Sequence, residues 1–248
     1  MGARCVNVYG FYPQLMTHPT GDELGTAPLH QYAIDKWTEK VYTGRIYVFV
    51  RRSDVEKRRL LITGFDPFGG ADINPAWEAV SLLPETVGEF ELCKCRIPTA
   101  FGEAARAVLE QAEAFRPHVI LCVGQAGGRE AVTPERIAVN IRDASIPDNR
   151  GFRPQGERIL PEGAAAYFAT VPVEAMVCAI THAGLPSRAS NSAGAFVCNE
   201  TLYLLLHYFD KTDTRVGFIH VPYLPEQGNP SLAVADTAAA LAAAIGAC

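Results

Sequence analysis

The stretch Leu60-Leu61-Ile62-Thr63-Gly64 opens the regular part of this sequence, and its apolar run predicts a short buried strand that ends in a glycine- and proline-rich loop. Residues 75–83 follow as a predicted helix, because Asn74 can cap it and proline is favoured at the first helical position. Further on, residues 119–123 form another continuous apolar run, typical of a strand covered on both faces. The stretch therefore begins a strand–helix–strand pattern.

The same alternation continues to the C-terminus. Further strands are predicted at 89–97, 136–141, 188–192 and 215–221, and further helices at 102–115, 173–183, 196–209 and 232–245. Strands that alternate with helices indicate a mainly parallel sheet with helices on both faces. In open sheets of this kind the active site lies beyond the carboxyl ends of the strands.

The chain changes character near residue 58. Residues 1–58 show no sustained period of either kind, and we treat them as an N-terminal extension of uncertain structure before a catalytic domain at 59–248. Three interpretations of the extension stay open: a flexible segment, a partly strand-forming segment, or a translated upstream stretch with the working start near Val55.

Composition excludes several classes of protein. The chain has 248 residues, 48% of them hydrophobic, with a net charge of -5, which allows one sizeable core and lacks the concentrated basic surface of a nucleic-acid-binding protein. No apolar run approaches the roughly 20 residues that span a bilayer, and no secretory signal is visible. Seven scattered cysteines argue against a disulfide framework and predict a reducing, cytoplasmic setting.

Cys198 is the candidate nucleophile. Small residues lead into a helix whose apolar face places Cys198 in its first turn, where free N–H groups and the helix dipole favour a thiolate and can hold an oxyanion. His220 ends an apolar strand, where the sheet rule places active groups, and imidazole is the usual base for a thiol. Glu135 follows a glycine-rich loop and can orient the imidazole.

Each of these residues also has a purely structural interpretation. Cys198 could be an ordinary buried cysteine, His220 a core histidine whose hydrogen bonds are satisfied, and Glu135 an exposed partner of Arg136. Spacing alone does not choose the acid, and four other carboxylates compete with Glu135, namely Glu78, Glu130, Asp143 and Asp148. The glycine-rich loops at 64–70 and 124–129 lack the spacing of a dinucleotide or phosphate loop, and no acid or histidine cluster has metal-ligand spacing.

Seven segments in order resemble the pyroglutamyl peptidases, also called pyrrolidone-carboxylate peptidases. They lie at 60–70 (LLITGFDPFGG), 74–80 (NPAWEAV), 123–129 (VGQAGGR), 133–140 (TPERIAVN), 146–149 (IPDN), 192–199 (SAGAFVCN) and 220–227 (HVPYLPEQ). The resemblance covers the chain from about residue 58 onward. It implies a single three-layer α/β/α domain with a mainly parallel twisted sheet, which often assembles as dimers or tetramers and uses no cofactor.

The resemblance also implies an activity and a site. The activity is hydrolytic removal of N-terminal pyroglutamate from peptides by a cysteine exopeptidase, with Cys198, His220 and Glu135 as the triad. The implied pocket residues are Phe65, Phe68, Thr99, Gln125, Ile146, Phe196 and Val197.

One departure from the family pattern keeps alternatives open. Ser145 stands where the family usually has arginine, and losing a donor that steadies an oxyanion can cost on the order of a hundredfold in rate. A catalytically weakened relative that binds N-capped peptides or lactams is therefore the second hypothesis. A nucleoside-type phosphorylase on a related sheet is the third.

Overall fold

The computed structural model describes residues 37–43, 46–51 and 57–248, and the chain divides into two compact units, Met1–Glu56 and Lys57–Cys248. In the first unit, strands β1 (Trp37–Thr43) and β2 (Ile46–Arg51) pair antiparallel as a hairpin. The possible start near Val55 lies outside the described residues.

The second unit contains eight strands and five helices among the described residues. The strands are β3 (Arg58–Phe65), β4 (Thr86–Val87), β5 (Phe90–Ile97), β6 (Val119–Gln125), β7 (Thr133–Pro134), β8 (Ile137–Val139), β9 (Ala166–Phe168) and β10 (Arg215–Val221). The helices are α1 (Pro75–Leu82), α2 (Glu103–Phe115), α3 (Val173–His182), α4 (Val197–Tyr208) and α5 (Val234–Gly246).

Six of these strands form one sheet in the order β4-β5-β3-β6-β10-β7. The four inner strands run parallel, and the two-residue strands β4 and β7 pair antiparallel at the edges. The prediction of an α/β fold with a mainly parallel sheet is confirmed.

Side chains on alternate positions of β3 separate the two cores. Leu60 and Ile62 pack in one cluster with α1, α3 and α5, whereas Leu61 packs in the other with α2 and α4. Because successive strand residues point to opposite faces, a strand buried on both sides needs a continuous apolar run, which Leu60, Leu61 and Ile62 supply here. The unit therefore has three layers.

Two predicted strands differ from the structure. The strand predicted at 136–141 shrinks to β8, which pairs with β9 in a separate two-stranded sheet. The strand predicted at 188–192 is wrong, since this segment makes only an isolated bridge between Ser190 and Glu135. The Ser190 hydroxyl turns back to the Ser192 carbonyl oxygen at 3.2 Å, and such local bonds compete with a strand ladder.

The loop after β3 is tied to the start of α1. Asn74 caps the helix as predicted, its Oδ1 accepting from the Ala76 N–H at 3.0 Å, while its Nδ2 donates to the Asp66 carbonyl oxygen at 3.0 Å. Gly64 lets the helix approach closely, because a Cβ there would lie 2.6 Å from Trp77 Cα. These contacts fix the loop that carries Phe68.

Candidate active site

The predicted catalytic residues gather at the carboxyl edge of the sheet, where the sheet rule places an active site. His220 lies near the end of β10, and Cys198 is the second residue of α4. Glu135 directly follows the edge strand β7.

Cys198 and His220 lie on the same face of the sheet. Phe218 packs in the core cluster beneath α4, and His220, two residues further along β10, points to the same side, with its ring centroid 4.7 Å from that of Phe218. His220 is paired in register with Gly124 of β6, and a Cβ on Gly124 would lie 2.9 Å from the Cys198 Sγ. The sulfur therefore sits over the strand position beside the histidine, and both residues line one cavity.

Glu135 forms a hydrogen bond with the imidazole of His220. His220 Nδ1 lies 2.7 Å from Glu135 Oε1, and because a carboxylate only accepts, the proton of this bond is on Nδ1. Nε2 is then the imidazole nitrogen left to serve as a base. Within residues 57–248 no hydrogen bond joins this histidine to the Cys198 thiol, and such bonds often tighten only when substrate binds.

Arg129 is a second partner of the same carboxylate. Its Nη1 donates to Glu135 Oε1 at 2.7 Å, and its Nη2 donates to the Ser192 carbonyl oxygen at 3.0 Å. Burial raises the pKa of Glu135, but the hydrogen bond and charge of His220 and the hydrogen bonds of Ser190 and Arg129 outweigh it and lower this pKa overall. Glu135 is thus a buried carboxylate that stays ionised.

Burial shifts the pKa values of the thiol and the imidazole in opposite directions, in each case toward the neutral form. Burial, with smaller effects of Cys122 and Glu135, raises the pKa of Cys198 to about 12, against the lowering effects of Arg129 and the Cys198 N–H. Burial also lowers the pKa of His220, although Glu135 acts in the opposite direction. The sequence predicted a thiolate at the helix start, but here desolvation outweighs the helix start.

The cavity is small, at about 190 Å³, compared with roughly 300–1,000 Å³ for a pocket that takes a drug-sized ligand. Aromatic rings form much of its wall, and those of Phe68 and Phe196 are 6.0 Å apart. Its lining consists of Phe65, Phe68, Asn74, Thr99, Gln125, Ala126, Arg129, Ala193, Gly194, Phe196, Cys198 and His220. It has room for one small ring.

Five of the seven predicted pocket residues belong to this wall, and two do not. Val197, the first residue of α4, is fully buried in the hydrophobic core. Ile146 is exposed and borders an adjoining, larger cavity of about 650 Å³. Sequence reasoning gave no role to Arg129, although its place at the end of the 124–129 loop, a few residues before a candidate acid, was an available signal.

Two kinds of feature are absent from the described residues. Those residues contain no group of three or more acid, histidine or cysteine side chains arranged to hold a metal ion. Within the same residues no helix is long and apolar enough to cross a membrane.

Comparison with known proteins gives matches over the second unit. The family described as pyroglutamyl peptidase matches residues 58–248. A pyrrolidone-carboxylate peptidase of Levilactobacillus brevis is 50% identical over 194 residues, covering 75% of this chain and 95% of that protein. One of Lactobacillus johnsonii is 47% identical over 196 residues, covering 76% of this chain and 91% of that protein.

Solved structures agree with these sequence matches. The crystal structure of pyroglutamyl peptidase I from Bacillus amyloliquefaciens has a TM-score of 0.74 and 41% identity, covering 77% of this chain and 96% of that one. A mutant pyrrolidone carboxyl peptidase from Pyrococcus furiosus has a TM-score of 0.72 and 37% identity, covering 76% and 97%.

Fold and comparisons together place the chain among the α/β hydrolytic enzymes that cleave peptides with a cysteine. Within that class the chain belongs to the pyroglutamyl peptidase family, the cysteine-type omega peptidases.

Proposed function

We propose that this enzyme removes N-terminal pyroglutamate from peptides, with Cys198 as nucleophile, His220 as acid and base, and Glu135 as the group that orients the imidazole. The observation that carries the proposal is the buried 2.7 Å bond between Glu135 and His220 beside a cavity that Cys198 also lines. A base so oriented next to a cysteine is the arrangement that nucleophilic catalysis requires.

The cavity suits a ring without a free amino group. Pyroglutamate is a flat lactam with one N–H and one C=O, and it carries no ammonium that would need an acid. The described lining residues include no carboxylate. Thr99 Oγ1 donates to the Asp66 carbonyl oxygen at 2.9 Å, so its lone pairs stay available to accept from a ring N–H. Aromatic walls would hold the apolar faces of the ring.

The chemical steps follow from a neutral starting pair. Nε2 of His220 takes the thiol proton as the Cys198 sulfur attacks the pyroglutamyl carbonyl carbon, and the carbonyl π electrons move to oxygen. Backbone N–H groups in the first turn of α4 stabilise this oxyanion. The imidazolium then protonates the leaving amine, the C–N bond breaks, and a thioester remains.

The second half-reaction uses the same imidazole. His220 accepts a proton from water as the water oxygen attacks the thioester carbonyl carbon, and it returns the proton to sulfur as the C–S bond breaks. Glu135 stays ionised throughout and stabilises the imidazolium in both halves.

Ser145 motivates the alternative, a catalytically weakened relative that binds N-capped peptides or lactams. Ser145 is exposed, and it lines neither the 190 Å³ cavity nor the adjoining one. The positive charge of Arg129 does lie in the wall of the smaller cavity. We therefore favour an active enzyme, and turnover decides between the two.

The deciding measurement is hydrolysis of a pyroglutamyl fluorogenic amide by the full chain. We expect turnover by the wild type, loss of at least about 10³-fold in Cys198→Ala, and near wild-type turnover in the control Cys178→Ala, whose residue lies in α3 on the opposite face of the sheet. Absence of wild-type turnover in a folded protein that still binds a pyroglutamyl peptide would favour the binding protein.

Two further properties belong to the proposal. Five described cysteines, Cys93, Cys95, Cys122, Cys198 and Cys248, are free thiols, which supports a reducing, cytoplasmic setting. A homo-oligomer, dimer or tetramer, remains a prediction that light scattering would test.

A further inference from the structure

Gln227, in the loop after β10, makes three hydrogen bonds with its side-chain amide. Its Oε1 accepts from the Leu224 N–H at 3.1 Å, and its Nε2 donates to the Ile73 carbonyl oxygen at 3.3 Å. The same Nε2 donates to Gln125 Oε1 at 3.2 Å. Gln227 thus links its own loop to the end of β6.

The backbone partners fix which end of this amide is nitrogen. An amide oxygen and nitrogen look alike in shape, so their assignment depends on the hydrogen-bond network. The Leu224 N–H can only donate and the Ile73 carbonyl oxygen can only accept, so one end of Gln227 must be the oxygen and the other the nitrogen. The atom of Gln125 that faces this nitrogen must then be its oxygen.

This hydrogen-bond network determines which side-chain atoms Gln125 offers to a ligand. With Oε1 engaged by Gln227, the Nε2 donors of Gln125 are left free, and within residues 57–248 they have no protein acceptor. Gln125 lines both the cavity that contains Cys198 and the adjoining one, whereas Gln227 lines only the adjoining cavity. The contact with Gln227 therefore lies on the outer side of Gln125.

We propose that Gln227 is a positioning residue that holds the Gln125 amide with its N–H₂ available to the lactam carbonyl oxygen of pyroglutamate. This inference rests on the proposed function and deepens it. It assigns to a residue outside the pocket wall a part of the choice of a pyroglutamyl over a prolyl residue, which has the same ring size but a protonated ring nitrogen and no lactam carbonyl. A flipped Gln125 would face the carbonyl with an oxygen, and two acceptors repel each other.

The test compares Gln227→Glu with Gln125→Ala and the double variant. Glutamate keeps the acceptor for the Leu224 N–H but has no donor for Gln125 Oε1, so it favours the flipped amide. For a pyroglutamyl amide substrate we expect KM to rise about 10- to 100-fold with kcat changed far less, because an unmatched polar group in a buried site costs that much in binding. Any hydrolysis of a prolyl amide, which has no lactam carbonyl for Gln125 to contact, is expected to stay unchanged.

The double variant separates positioning from a general effect on the loop. When Gln125 is already alanine, Gln227→Glu should change KM less than about twofold, because residues in one hydrogen-bond network are not additive. Gln111→Glu, on the exposed side of α2, is the control for the added charge. The rate of Cys198 alkylation and the melting temperature should match the wild type.

A second variant keeps the test decisive if Gln227→Glu folds poorly. Gln125→Glu still offers an oxygen to Gln227 but has no N–H₂, so it should lose discrimination between pyroglutamyl and prolyl substrates to a similar extent. The inference is overturned if Gln227→Glu and Gln125→Glu discriminate as well as the wild type, or if the Gln227→Glu effect persists in full without Gln125. A wild type that does not cleave the pyroglutamyl substrate would instead reject the proposed function, and this inference with it.

Discussion

At the scale of single residues, the electrostatics of the site depend on burial more than on the helix start. Glu135 and His220 are 0% and 3% exposed, and the acid has two cationic or donating partners on one oxygen. Breaking such a buried pair leaves an uncompensated charge, which is costly. Burial therefore favours the neutral forms of both the imidazole and the thiol.

The lowered pKa of His220 gives a testable pH dependence. The imidazole acts as a base only when neutral, so kcat/KM should fall as pH drops through a pKa below the usual value of about 6.5. Glu135 raises this pKa, so Glu135→Gln should move the acid limb to still lower pH. It should also reduce kcat by about 10³-fold or more, since the imidazole loses its orienting charge.

The measurement is a pH–rate profile of kcat/KM from pH 4.5 to 8 for wild type and Glu135→Gln. Glu130→Gln removes an exposed carboxylate from the loop between β6 and β7. It is the control and should leave the profile unchanged. An acid limb centred above pH 7 in the wild type would contradict a buried, largely neutral imidazole.

Sequence alone made Cys198 and His220 candidates because each stands at a recognisable place, a helix start and a strand end. It could not choose Glu135 among five carboxylates, since that choice depends on an edge strand of two residues that brings it behind the imidazole. The role proposed for Gln227 could not be predicted either, because it depends on a contact with Gln125, 102 positions away along the chain. The missed roles are the ones that depend on long-range contacts.

At the scale of elements, the close approach of α4 to the sheet depends on Gly124. A Cβ at this position would lie 2.9 Å from the Cys198 sulfur and 2.8 Å from the Phe218 ring. A fully buried strand and a helix cannot shift independently to relieve such contacts, because cores are close-packed. The glycine therefore sets the distance between the sulfur and the end of β10.

Gly124→Ala should displace the sulfur from its place beside His220. We expect kcat/KM for the pyroglutamyl substrate to fall by about 10²-fold, since small misplacements of reacting groups are that costly. The free energy of unfolding should fall by about 1–3 kcal/mol from overpacking. Gly246→Ala at the end of α5, where a Cβ meets nothing within 4 Å, is the matched control. Unchanged turnover in Gly124→Ala would show that catalysis tolerates displacement of the Cys198 sulfur, and would contradict this prediction.

The long elements were predictable and the short ones were not. Helix α4 and strand β10 were predicted to within one residue because a long apolar period outweighs local irregularity. Strands β4 and β9, with two and three residues, show too little alternation to be visible. Segment 188–192 has strand-like residues, but its serines bond locally.

At the scale of the whole chain, the candidate catalytic residues all belong to one unit. Both hydrophobic clusters and every described residue that lines the active-site cavity lie in Lys57–Cys248. The family match begins at residue 58. A unit with its own core and its own site is expected to fold and work independently.

A chain that starts at Val55 should therefore keep the activity. We expect kcat/KM for the pyroglutamyl substrate within about twofold of the full chain, and a melting temperature within about 4 °C, which for this size corresponds to roughly 1 kcal/mol. The measurement is the fluorogenic assay beside thermal unfolding of both forms at equal concentration, with light scattering to compare their assembly. A large loss of activity at an unchanged melting temperature would show that residues before Val55 act on the site or on assembly, because stability alone would not explain it.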